Sequence, residues 1–357
     1  MASLDLYPTL PPSARDRAVK QQRVLDILDG TGTGAVWLTS PAALSWYLDG
    51  SRVQVGPLGD PVLAVRISPD GDRVRVFTNE ADRLIAEELP AGLDVEHVPW
   101  HGTLVDAAPD DADERALAAE LRAARGVLLP AETERYARLS TDAATAMTAA
   151  LAAADPAESE RAIAARLAAE LWQRGIEPVV LLVAGEGRLP HRHPLPTAAP
   201  VGSRAMAVVC GRRHGLIANL TRWVRFRPAT AAERDANTRI RDVEAAFFTA
   251  SVPGRSFGEI LATGATAYER AGFAADEWQR HHQGGAAGYN GRDPRATPGL
   301  DELLQDGQAF TWNPSAPGAK IEDTVLISAG RVRVLTLDPS WPTSRHEGLE
   351  RPDELEL

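Results

Sequence analysis

Histidine is the side chain that titrates nearest neutral pH, so it can take a proton from water and return it to a leaving nitrogen. The chain has eight histidines. His191 and His193 lie in the Pro-rich stretch RLPHRHPLPT, residues 188–197, and His281 and His282 stand side by side just before a Gly-rich run. A histidine that moves protons needs a carboxylate or amide to orient its ring, and Glu322 is the leading candidate. It also needs donors for a developing oxyanion. His282, Arg292 and the amides of Asn219 and Asn313 are of the right types. Each group has a plain alternative. His193 can be an ordinary loop histidine, His281-His282 an exposed pair at a helix end, and Glu322 a structural partner of Arg292 or Lys320. Arg292 has a planar fork suited to a substrate carboxylate or to a surface salt bridge. His191 and His214 read as surface residues.

These groups are spread from residue 193 to residue 322, so the elements between them must bring them together. Residues 205–210 have the length of a buried strand. Gly211-Arg212-Arg213-His214-Gly215 reads as a tight turn, and 216–226 closes a hairpin. Helices are expected over 230–252 and 256–272, with Pro253-Gly254-Arg255-Ser256 breaking the first and capping the second. A short helix near 300–304 and strands at 309–312 and 324–327 follow. Upstream, Ala/Leu periodicity predicts a helix over 132–154, and 159–175 reads as an amphipathic helix ending at Gly175. Nearer the N-terminus, helix 13–30, strand 34–38, a short helix opened by Ser40-Pro41 and a hairpin around 69–72 form a small α/β unit. The acidic segment 101–118 reads as a solvated loop and helix start.

The chain resembles the aminopeptidase P, prolidase, methionine aminopeptidase and creatinase superfamily, which has the pita-bread fold. His193-Pro194-Leu195-Pro196-Thr197 resembles its His-x-x-Pro-Thr-like loop, and Asn219-Leu220-Thr221-Arg222 resembles its Asp-x-Thr-Arg strand. Residues 36–50 resemble the start of the amino-terminal domain in aminopeptidase P and creatinase. The resemblance implies fold class α/β (α+β), with an N-terminal creatinase-like domain over 1–128 and a pita-bread domain over 129–357. It implies five metal ligands, and here the matching positions hold Val208, Asn219, Gly285, Asn313 and Glu322. Valine cannot ligate, and a neutral amide is a poor substitute for a bridging carboxylate. No catalytic metal and no other cofactor is therefore expected. Polar residues remain at the site positions: His193, Asn219, Thr221, His282, Gln283, Tyr289, Arg292, Asn313 and Glu322. Creatinase cleaves a C–N bond without metal through its loop histidine, and His193 stands at the matching position.

Composition narrows the classes. The chain has 357 residues, 44% hydrophobic and 24% charged, with a formal net charge of -11, which suits a globular protein and argues against nucleic-acid binding. Cys210 is the only cysteine; no internal disulfide is possible, and a buried packing role is expected for it. No run is long and apolar enough for a membrane span. The N-terminal stretch has no apolar core of the secretory type, so a cytoplasmic location is expected.

The resulting expectation is a metal-independent, creatinase-like hydrolase acting on a C–N bond of a small amide, amidine or dipeptide-like substrate. In it His193 is the general acid/base, Glu322 its orienter, and Asn219, Thr221, His282, Gln283, Tyr289, Arg292 and Asn313 hold the substrate. A non-catalytic pita-bread protein that binds a ligand or peptide is the alternative. An Xaa-Pro metallopeptidase would need a spaced Asp pair within 200–230, where there is none. The resemblance also implies a homodimer.

Overall fold

The computed structural model describes residues 14–357; the expectation drawn from the extreme N-terminus lies largely outside them. Two units form. One holds the described residues up to Arg135 with His214–Leu216, and the other holds Tyr136–Arg213 and Ile217–Leu357.

In the first unit, α1 (Ala14–Thr31) leads to a fully buried β1 (Ala35–Leu38). The start of α2 (Pro41–Tyr47) follows from two residues: Ser40 Oγ accepts the Ala43 N–H at 3.2 Å, and Pro41 fills the first turn, where its missing N–H costs nothing. The expected hairpin is β2 (Leu63–Ser68) with β3 (Gly71–Phe77). After the single turn α3 (Ala81–Arg83), β4 (Val95–Val98) and β5 (Asp111–Asp113) complete a five-stranded sheet in the order β4-β3-β2-β1-β5. The segment 101–118 is largely exposed and ends in a helix start, as expected, but β5 within it was not expected. β5 runs parallel to β1, and the Asp111 carboxylate receives Arg66 Nη2 at 2.7 Å, Arg66 Nε at 2.9 Å and Trp37 Nε1 at 2.9 Å. At Asp111 those donors replace water, while Asp106, Asp110 and Asp113 stay exposed. Behind it runs α4 (Ala118–Gly126).

The long α5 (Pro130–Ala152) carries the chain into the second unit. There α6 (Glu160–Trp172) begins at an Ser159 cap, followed by β6 (Glu177–Gly185), β7 (Arg204–Arg213) and β8 (Leu216–Arg225). The β7–β8 turn is tighter than expected. Gly211-Arg212-Arg213 continue the strand, and only His214 and Gly215 turn, with φ of 51° and 77°. Two successive positive φ angles match the twist of a hairpin, and glycine carries one of them freely. His214 is accordingly a half-buried turn residue and not a bare surface one. Both α7 (Ala231–Ala250) and α8 (Phe257–Arg270) open with reciprocal capping boxes, Thr230 with Glu233 and Ser256 with Glu259. The expected helix near 300–304 is instead an extended segment. Its carbonyls at Leu300 and Glu302 accept the N–H groups of Gly258 and Phe257, which α8 itself leaves unpaired, and Leu304 O accepts from Gly254 in the loop ahead of the helix.

The remaining strands are β9 (Gly284–Ala287), β10 (Ala309–Trp312), β11 (Ser315–Ala316), β12 (Ala319–Lys320), β13 (Asp323–Ser328), β14 (Arg331–Val334), β15 (Thr343–His346), β16 (Leu349–Pro352) and β17 (Leu355–Glu356). The main sheet runs β6-β7-β8-β13-β10-β9, with β14 on β13 and β17 on β8. α7 and α8 cover one side of it: Phe247 stacks on Trp312 at 4.6 Å between ring centres, and Trp312 Nε1 donates to Ser251 Oγ. Trp312 is thus core. No helix among the described residues is long and apolar enough to cross a membrane.

Candidate functional site

β8, β13 and β10 lie side by side, with Leu220 opposite Asp323 and Thr324 opposite Thr311. Alternate residues of a strand share a face. Asn219 and Thr221 of β8, Thr324 with Glu322 just ahead of β13, and Thr311 with Asn313 at the end of β10 form one buried polar face. The face is tied across the strands. Asn219 N–H donates to Thr324 Oγ1 at 2.7 Å, and Asn219 Nδ2 lies 3.5 Å from Thr311 Oγ1. Thr221 Oγ1 donates to Glu322 Oε2 at 2.9 Å. Asn219 Oδ1 and Asn313 Oδ1 are buried without a partner among the described residues. An unmatched buried acceptor costs free energy, so two of them mark where N–H groups of a ligand or water belong.

Glu322 is fully committed. Besides Thr221 it receives Arg292 Nη2 at 2.7 Å on Oε1 and Lys320 Nζ at 3.2 Å on Oε2. Burial opposes its ionisation, but Lys320 and Arg292 outweigh it and hold the carboxyl at about 2. This is the structural pairing, and it leaves Glu322 with no hydrogen bond to His193, so the expected orienting contact does not form. His193 Nε2 instead lies 3.1 Å from His281 Nε2, and His281 Nδ1 lies 3.3 Å from Ser315 Oγ. One of the two Nε2 atoms must carry the shared proton and the other the lone pair.

His281 and His282 are not an exposed pair. His281 is buried, His282 is half-buried, and the rings of His193, His281 and His282 lie 4.5–5.7 Å apart. Burial, then Lys320 and the neighbouring imidazoles, push His281 down to about 2. Burial, then Arg292 and Arg295, push His282 to about 4. His193, exposed on its loop, is also lowered, by desolvation of its ring and then by Lys320. His282 Nδ1 and Arg292 Nε are buried without partners among the described residues.

The other expected site residues divide. Gln283 is used up internally: Nε2 donates to the carbonyls of Trp278 and His281, and Oε1 accepts from Tyr268. These bonds fix the loop. Thr221 serves Glu322. Tyr289 is buried just beyond β9. Cys210 sits in β7, its thiol pushed up to about 12 by burial. His191 is exposed. Sequence reasoning assigned no role to His281 or Ser315. The adjacent histidine pair was the available signal for the first, and nothing marked the second.

The model of metallopeptidase family M24 matches residues 134–329. No curated protein matches the chain. Among solved structures, the chain is similar to the prolidase from Pyrococcus horikoshii, at 15% identity and TM-score 0.74, covering 92% of this chain and 99% of that one. It is similar to an Xaa-Pro dipeptidase from Bacillus anthracis, at 14% identity and TM-score 0.73, covering 96% and 100%. It is also similar to the N-terminal domain of FACT complex subunit SPT16 from chickpea, at 11% identity and TM-score 0.67, covering 91% and 97%. These likenesses place the chain in the pita-bread fold with an N-terminal domain.

Proposed function

The chain belongs to metallopeptidase family M24, and from that premise we propose a hydrolase of the family's peptidase type that works without a catalytic metal. It cleaves a C–N bond in a small amide, amidine or dipeptide-like substrate, with His193 as general acid/base. The same proposal keeps an N-terminal domain to about residue 128, a homodimer and a cytoplasmic location.

The observation that carries it is the occupancy of the carboxylate face. The family's metal pair does not suit these residues. Val208 lies in an apolar cluster with Leu182, Met206 and Trp223, and Asn219 and Asn313 bring neutral amides. Gly285 has φ 144°, and a Cβ there would fall 2.2 Å from Pro294 O, so this backbone admits no histidine. Glu322 already holds two cations, Lys320 and Arg292. Fixed side-chain charges stand where a dication would be needed, and no step is routed through one.

The remaining groups support histidine chemistry. If His281 donates Nδ1–H to Ser315, its Nε2 takes the His193 Nε2 proton, and His193 Nδ1 keeps a lone pair. That nitrogen takes a proton from water as the water attacks the substrate carbon, and returns it to the leaving nitrogen. Arg292 Nε, and His282 Nδ1 in the tautomer that carries its proton there, are unpartnered among the described residues and can donate to the developing oxyanion. The Oδ1 atoms of Asn219 and Asn313 accept the substrate's N–H groups.

The test is turnover of Xaa-Pro dipeptides and of small amide and guanidino compounds in the presence of a chelator. We expect chelator-resistant hydrolysis that falls at least about 100-fold in His193→Ala, since a positioned acid/base contributes about 10²–10⁴-fold. The melting temperature should be unchanged, because His193 is exposed. Activity abolished by the chelator, or retained by the variant, contradicts the proposal.

One observation favours a second reading, a protein that binds a ligand without cleaving it. His193 has no carboxylate partner, and the only one nearby is spent on Lys320 and Arg292. On that reading His193→Ala changes affinity alone, and no substrate turns over.

A further inference from the structure

We propose that His193, His281 and His282 form a binding site for a single divalent transition-metal ion of the zinc class, separate from the positions at which the family resemblance places ligands. One ring nitrogen of each lies within 4.8 Å of the others. Three imidazoles around one ion at about 2.0–2.1 Å would bring their nitrogens to roughly 3.3–3.4 Å. The His193–His281 pair is already at 3.1 Å, and His193 sits on an exposed loop with room to close the rest.

Two features of the surroundings belong to a ligand set. His281 Nδ1 lies 3.3 Å from Ser315 Oγ, an outer contact of the kind that orients a ligating histidine; with Nδ1–H donated to the hydroxyl, the Nε2 lone pair is free for the ion. His282 Nδ1 is buried and has no partner among the described residues. The nearby cations do not compete for the nitrogens: Lys320 and Arg292 are paired with Glu322, and Arg295 is exposed to solvent.

The donor set chooses the ion. Three imidazoles without a carboxylate oxygen suit zinc, cobalt, nickel or copper, and suit magnesium or manganese poorly. A fourth position stays open toward solvent. Resting on the function proposed above, occupancy has one consequence. An ion on His193 ties the ring that must exchange protons, so the bound state is a silenced one.

The test uses the full chain stripped of metal and titrated with Zn²⁺ by calorimetry and with Co²⁺ by visible absorption, with Mn²⁺ as the comparison. We expect one Zn²⁺ per chain, a Co²⁺ spectrum of tetrahedral type, and far weaker Mn²⁺ binding. Loss of an outer-shell partner alone typically costs about 10- to 100-fold in metal affinity, so His193→Ala and His282→Ala should each cost at least about 100-fold. His193→Ala, on its exposed loop, keeps the reading clear if His282→Ala unfolds. No saturable zinc binding, Mn²⁺ binding as tight as Zn²⁺, or unchanged binding in a folded His193→Ala overturns the site. Turnover that falls as zinc saturates supports the silenced state, and turnover that rises overturns it. No turnover with or without zinc removes the hydrolase reading and leaves the site standing on its binding data.

Discussion

The chain has only two lysines, Lys20 and Lys320, and both are buried against carboxylates. Lys20 Nζ lies 2.6 Å from Asp49 and 3.0 Å from Glu132, and Lys320 lies 3.2 Å from Glu322. A buried charge is tolerated when paired, and removing one partner leaves the other stranded, at a cost of about 3–5 kcal/mol. Glu322→Gln strands both Lys320 and Arg292, so chemical denaturation should show a loss of that order. A loss within about 0.5 kcal/mol would mean the network is loosely held. Residue types proposed the membership of this cluster, and Lys320 and Arg292 were visible as plain partners for Glu322. The commitment of Glu322 to those two was not visible. It depends on Lys320 ending β12 and Arg292 leaving the turn after β9, which is a matter of backbone placement. Gln283 is a like case: its type suits a ligand, while backbone placement ties its amide to Trp278, His281 and Tyr268.

Elements were legible where local chemistry is strong. Ser40-Pro41, Ser159 and Ser256 each open a helix at the residue their side chains dictate. They were illegible where tertiary pairing decides. Residues 300–304 give up a helix to receive the first N–H groups of α8, and 111–113 become an edge strand because Arg66 and Trp37 wait for Asp111. Arg66 holds the Asp111 carboxyl at about 2, below an unfolded value near 3.9. A lowered folded-state pKa contributes stability above the unfolded value and loses it as protons bind, here as pH falls from about 4 toward about 2. Acid unfolding followed by circular dichroism should show this loss in the wild type, and Asp111→Asn should lack the part that titrates in that window. Identical acid curves for the two would show that the pair contributes nothing.

For the whole molecule, the fold was readable because its signals are spread over ordered segments along the chain, and errors of a few residues at 211–215 or 101–118 do not disturb their order. Function is harder to read because it rests on one small face, where a single side chain decides the chemistry. The central proposal is that in this M24 chain fixed side-chain charges stand in place of the family's metal pair, with a histidine cluster beside them. Metal content after equilibration with excess Mn²⁺ and desalting tests it most directly, with His193→Ala measured in parallel to separate the histidine site. The account predicts no Mn²⁺ retained in either protein and no stimulation of Xaa-Pro cleavage. Retention near two Mn²⁺ per chain in both, with Mn²⁺-dependent Xaa-Pro cleavage by the wild type, would contradict it.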